Sequence, residues 1–177
     1  MKYCFICICQ EGELEIQSLL LMASLKRHLK VNYELYVAIP TPESIWGKPA
    51  TDTLRQLNAF GVKFFYTTNE ISNSYPIANK LGCFKVPTDA DRIVFLDTDM
   101  ILLRDFVDDP IFQNPLCIRA ASLPLLEDDI ENWKNIYRVA NIDFPKTRIS
   151  SVVSKEKMLP YYNAGFIAVD SFLDFSN

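Results

Sequence analysis

Two aspartates, Asp97 and Asp99, flank Thr98 directly after the apolar residues Ile93, Val94, Phe95 and Leu96. Four apolar residues in a row suit a strand buried in mid-sheet. In open α/β sheets, ligands collect at the carboxyl ends of such strands. At i and i+2 on extended chain the two carboxylates project to one side, with Cα atoms about 6.5 Å apart. Like charges held that close repel, and one carboxyl is driven to keep its proton unless a cation joins the pair. A hard divalent ion, Mg²⁺ or Mn²⁺, takes one or two carboxylates together with phosphate oxygens. Asp97 and Asp99 therefore read as metal ligands beside a phosphate. The plainer alternative is a strand end whose acids face water.

The segments that must position this pair alternate between strand and helix patterns. Residues 3–9 are a continuous apolar run of strand length, suited to a sheet covered on both faces. Glu11, Glu13 and Glu15 follow, where carboxylates favour a helix N-terminus. A helix is expected from Leu14 or Ile16 to Leu29, basic at its end in Lys26, Arg27 and His28. Residues 33–39 form a second strand that Pro40 and Pro42 break, with a loop reaching Ala50. Thr51 or Asp52 caps a short helix through Phe60 that Gly61 stops. Strands are expected over 62–66, 92–96, 116–121 and 161–169, with extended chain over 100–103. Ile77, Ala78, Leu81 and Phe84 keep helical spacing, and 129–141 reads as a helix. Four such alternations imply an α/β fold, an open and mostly parallel sheet with helices on both faces. One domain over residues 1–177 is expected.

Composition narrows the function. With 49% apolar and 23% charged residues, the chain is globular and has apolar material for a core without staples. A net charge of −4 and no basic tract argue against nucleic acid, whose binding needs a Lys/Arg surface to displace counterions. No apolar stretch approaches the roughly 20 residues of a membrane span. The short apolar run after Lys2 lacks a small-residue cleavage site, so a cytoplasmic protein is expected.

Several other residues read as structure. Cys4 and Cys7, three apart on a strand, face opposite sides. With Cys9, Cys83 and Cys117 they read as small apolar residues, reduced and metal-free, rather than as a redox or zinc motif. Glu127, Asp128 and Asp129 suit a helix N-terminus. Ile130, Trp133, Ile136 and Tyr137 share a helix face that is expected to point into a core. Asp105, Asp108 and Asp109 lack the glycine and spacing of a calcium loop.

Three segments in order resemble the GT-A-fold glycosyltransferases, in particular the glycogenin-like group of retaining enzymes. Residues 5–10 with Ser24-Leu25-Lys26-Arg27-His28 resemble that family's first strand and its SLKxH helix. Asn79-Lys80-Leu81, followed by Val94-Phe95-Leu96-Asp97-Thr98-Asp99, resembles its Lys-Leu helix and DxD strand. Tyr162-Asn163-Ala164-Gly165 resembles its FNSG/FNAG strand. The resemblance implies a GT-A-like fold, a nucleotide-diphosphate sugar as donor (a UDP-sugar first), a saccharide or other hydroxyl acceptor, and Mn²⁺ or Mg²⁺ as cofactor. Carried over by position, it implies that Ile8, Cys9, Gln10 and Thr98 border the donor nucleotide. Asp97 would contact the donor ribose and the metal, and Asp99 the metal that bridges the diphosphate. Lys80 would reach toward the phosphates or sugar. Asn163 would contact the donor sugar, with Ala164 and Gly165 letting backbone approach closely. The acceptor hydroxyl would attack from the donor's front face.

The chain also departs from that family. The nucleotide strand usually ends in Thr-Thr-Asn with a Tyr soon after; here those positions read Cys9, Gln10, Glu11 and Leu14. The third metal ligand is a His in a C-terminal HxxGxxKPW segment, whereas the only histidine here is His28. An Asp-Gln segment beyond the NAG strand is missing too, so a C-terminally truncated catalytic domain is expected. Two rival readings stay open. A haloacid-dehalogenase-type phosphatase also uses a DxD after a strand, but its motif continues to Thr or Val where Ile101 stands here. A sugar-nucleotide binder without catalysis is the other.

Overall fold

The computed structural model describes residues 1–122 and 130–171. The first apolar run becomes strand β1, Tyr3–Ile8, buried along its whole length. Such a strand can only be central. It lies parallel between β2 (Tyr33–Thr41) and β4 (Arg92–Leu96). A third parallel strand, β3 (Lys63–Thr68), pairs outside β2. On the other flank β8 (Tyr162–Asp170) runs antiparallel to β4, and β5 (Leu116–Ala120) lies beyond it. The order is β3-β2-β1-β4-β8-β5, a six-stranded and mostly parallel sheet.

Alternation along β1 sorts its side chains between two cores. Tyr3, Phe5 and Cys7, continued by Cys9, face α1 (Glu13–His28) and α3 (Thr51–Ala59), which contribute Leu21, Met22, Leu25 and Leu57. Cys4, Ile6 and Ile8 face the opposite side, covered by Cys83, Val86 and Ala90. Cys4 and Cys7 therefore diverge as expected, and all five cysteines are free thiols. Burial pushes the Cys4 thiol up to about 12 and that of Cys9 to about 11, so none of this run is a ready nucleophile.

The chain divides into two compact units, residues 1–117 with the chain from Gly165 onward, and residues 118–164. The second contains α5 (Ile130–Val139) and a small antiparallel pair, β6 (Ile149–Ser150) with β7 (Lys157–Met158). Backbone bonds from Ala121 N–H to the Tyr161 carbonyl and from Val152 N–H to the Ala121 carbonyl, both 3.0 Å, tie it together. Edge-on ring contacts of Trp133 with Tyr161 and of Tyr137 with Phe144 pack it.

Several expectations are corrected. Pro40 does not end β2, which continues to Thr41 with Pro40 opposite Thr67 of β3. By then β1 has ended, so the strand edge where proline lacks its N–H carries no ladder to lose. A short helix α2 (Glu43–Trp46) occupies part of the expected loop. The helical spacing at 77–84 is realised as a 3-10 turn (Pro76–Ala78), one α turn α4 (Asn79–Gly82) and a second 3-10 turn (Cys83–Lys85). Residues 100–103 form no strand. Helix α5 buries no residue fully, and Ile136 is 55% exposed instead of core-facing. Glu127, Asp128 and Asp129 lie outside the described residues.

Candidate functional site

The strand β4 delivers its last apolar residue, Leu96, at the carboxyl edge of the parallel sheet, and the chain then turns. The Met100 N–H donates to the Asp97 carbonyl at 3.3 Å, closing a four-residue turn over residues 97–100. The segment is not extended, so the expectation that both carboxylates leave one side of a strand is replaced by a turn. Its first residue is fixed by the Asp97 N–H, which donates to the Gly165 carbonyl of β8 at 2.8 Å. Its second, Thr98, is buried, and its hydroxyl donates to Gln17 Oε1 of α1 at 2.9 Å. Just beyond, the Leu102 N–H donates to Ser24 Oγ at 3.0 Å. The acidic turn is pinned between β8 and the first helix. Asp99, by contrast, is exposed.

Lys80 reaches this turn from the other side. Its ammonium stands 2.7 Å from Asp97 Oδ1 and 2.8 Å from Oδ2, so one cation spans the whole carboxylate. It also lies 5.9 Å from the centre of the Phe95 ring. The α4 turn that carries Lys80 is seated hard on β3. A Cβ at Gly82 would come 2.1 Å from Thr67 Oγ1, so only glycine fits there. Asn79, directly before Lys80, is buried, and neither polar atom of its amide has a hydrogen-bond partner among the described residues.

An open cavity of about 170 Å³ lies over this ion pair, lined by Ile8, Gln10, Lys80, Asp97 and Thr98. The structure thus gathers five of the sequence-predicted residues at one place. Leu14, Pro76, Ile77, Phe95 and Leu96 supply the apolar walls. Cys9 is not part of that lining. It is buried on the α1 side. Gly165 is buried beside Asp97 through the backbone bond already given. Asn163 and Ala164 are exposed residues of the second unit. Ser24 belongs to the segment that resembles the SLKxH helix, whereas Gln17, which also holds the turn, carried no sequence signal beyond being polar on a helix otherwise rich in Leu.

The cavity is mostly apolar, with one ammonium and one carboxylate paired on its wall. Asp97 and Asp99 offer hard carboxylate oxygens, the donor type Mg²⁺ and Mn²⁺ take. Among the described residues no group of three His, Cys, Asp or Glu side chains could hold a metal ion. Two carboxylates by themselves leave most of such an ion's shell to other donors.

Comparison with known proteins bears on the family and the fold. The family model described as Rhodobacterales glycosyltransferase domain matches residues 5–177. No curated protein matches the chain by sequence. Among solved structures, mouse xyloside xylosyltransferase 1 in its apo form superposes with a TM-score of 0.55 at 16% identity, over 96% of this chain and 67% of that one. The galactosyltransferase LgtC, in complex with donor and acceptor sugar analogs, gives 0.50 at 14% identity, over 96% of this chain and 58% of that one. At these identities the likeness shows the fold, which is GT-A. The chain spans about three fifths of LgtC. Among the described residues no helix is long and apolar enough to cross a membrane.

Proposed function

The chain belongs to the Rhodobacterales glycosyltransferase domain family, and from that premise we propose that it moves a sugar from a nucleotide-diphosphate donor, a UDP-sugar, to a hydroxyl acceptor with retention at the anomeric carbon. The observation that carries this reading is the cavity at the carboxyl ends of β1 and β4 with Lys80 and Asp97 on its wall. Residues 1–177 serve as the nucleotide-sugar-binding domain. Ile8, Gln10 and Thr98 border the nucleotide, with Cys9 behind them in the strand-to-helix turn. Lys80 offers its ammonium to the diphosphate. By the resemblance, Asn163, Ala164 and Gly165 would serve the donor sugar.

Asp97 and Asp99 would hold Mn²⁺ or Mg²⁺, which when bound neutralises the departing diphosphate as a Lewis acid. The protein's own share is positional. Bonds from Thr98 to Gln17 and from Asp97 to Gly165 fix the acidic turn before the donor arrives, so its binding orders little that is not already ordered. The test is nucleotide release from a panel of UDP-, GDP- and ADP-hexoses, followed by chromatography. Release of nucleoside diphosphate from one donor class, lost in Asp97→Asn, is expected. Release from none of them, or release indifferent to Asp97, overturns the reading.

A further inference from the structure

In this structure the carboxylate of Asp97 already has a cation. Lys80 Nζ lies within 2.8 Å of both oxygens, on a side chain only 25% exposed, against an aspartate that is 28% exposed. The backbones beneath the pair are fixed independently. The Asp97 N–H is bonded to Gly165, its carbonyl to Met100, and the lysine's turn is locked where Gly82 meets Thr67. What can move is the lysine's four-carbon stem with its rotatable donors. We propose that Lys80 is an internal counter-cation, closing Asp97 to divalent ions until a diphosphate draws the ammonium away.

The inference rests on the donor-site reading above and adds a rule of exchange to it. Without nucleotide, a divalent ion approaching Asp97 meets a carboxylate whose charge is already neutralised, and an ammonium that repels it. A diphosphate offers Lys80 a better-matched anion. When the lysine transfers to phosphate oxygens, Asp97 is released at the moment when those same oxygens can share an ion with it. Metal and diphosphate then each favour the other through one side chain, beyond any direct contact between them, and linkage requires the two effects to be equal. The protein would not hold a metal without its nucleotide.

The experiment titrates Mn²⁺ into the full chain, reading free Mn²⁺ by electron paramagnetic resonance, with and without uridine diphosphate. Lys80→Met and Lys80→Gln remove the charge, and Lys80→Arg retains it. Thermal melts check that each variant is folded. In the absence of nucleotide, the neutral variants are expected to bind Mn²⁺ at least about tenfold more tightly than the wild type, about 1.4 kcal/mol, while Lys80→Arg stays weak. With Mn²⁺ present, the neutral variants are expected to lose affinity for uridine diphosphate, and the coupling between the two ligands to shrink. Nucleotide-free Mn²⁺ affinity that is unchanged or lower in both neutral variants overturns the exchange, and so does a gain in Lys80→Arg equal to theirs. Mn²⁺-dependent nucleotide binding in the wild type that survives either result leaves the donor site standing without the exchange. If uridine diphosphate and Mn²⁺ bind Asp97→Asn as tightly as the wild type, the donor-site reading falls, and the exchange with it.

Discussion

Arg92 and Asp170 face each other across β4 and β8 as register partners, joined by a 2.9 Å ion pair that is almost completely buried. The Arg92 guanidinium also donates to the Asn114 carbonyl at 2.6 Å and lies 4.5 Å from the centre of the Phe112 ring. The pair fixes the antiparallel register at one end of β4. At the other end that register sets Asp97 against Gly165. Removing one partner strands a buried charge, so Arg92→Met is expected to cost about 3–5 kcal/mol in urea unfolding. Adding Asp170→Leu should recover much of the loss; a double variant no more stable than the single one would show that the charges themselves are needed.

Glu15 staples the start of α1 to α3. Its carboxylate accepts from the Thr53 hydroxyl at 2.6 Å, the Ala50 N–H at 2.7 Å and the Gly12 N–H at 3.1 Å. These bonds, Thr53 first, hold its pKa below the ordinary glutamate value. A depressed folded-state pKa contributes stability that is full above the unfolded value, about 4.3, and disappears as pH falls through the folded one. Glu15→Gln should therefore lower stability at pH 7 by about 1–2 kcal/mol, discounted for its partial exposure, and flatten the loss below pH about 5. An unchanged acid limb in the variant would contradict this.

Gly82→Ala tests how the lysine is positioned. The new methyl would meet Thr67 Oγ1 at 2.1 Å and its Cβ and Cγ2 at 3.1 Å. The α4 turn must shift, at about 1–3 kcal/mol, and Lys80 with it. Weaker nucleotide binding and a lower melting temperature are expected, both largely restored by adding Thr67→Ala. Restored stability without restored binding would separate the two effects.

Much of this architecture was legible in the sequence, because burial on both faces leaves an unmistakable apolar run. Residues 3–9 and 92–96 became the central strands, and the Asp-Thr-Asp that follows sits at the carboxyl edge. Long-range partners were not legible. Nothing in the spacing ties Lys80 to Asp97, Gln17 to Thr98 or Ser24 to Leu102, since such contacts are set by how α1 and α4 pack on the sheet. Local rules also misled where tertiary context overruled them. Pro40 is tolerated because β1 stops short of it, and residues 97–100 turn where an extended chain was expected. The apolar stripe of α5 predicted burial that its own unit does not supply.

The thiols offer an independent check on the core. Cys4, Cys7, Cys9 and Cys83 are fully buried with thiols pushed up by desolvation, whereas Cys117 is only half-buried. A thiol reagent at neutral pH should modify Cys117 first and the other four together on unfolding. Early modification of Cys4 or Cys9 would mean that β1 is not the centre of the sheet.

If Asp97 and Asp99 hold the ion that bridges a donor diphosphate, nucleotide affinity must depend on both the ion and the exposed carboxylate. Calorimetry of uridine diphosphate with and without Mn²⁺, on the wild type and Asp99→Asn, measures this directly. Binding that requires Mn²⁺ and weakens at least about tenfold, roughly 1.4 kcal/mol, in Asp99→Asn is expected. Binding that ignores Mn²⁺, or an Asp99→Asn variant as tight as the wild type, would contradict it.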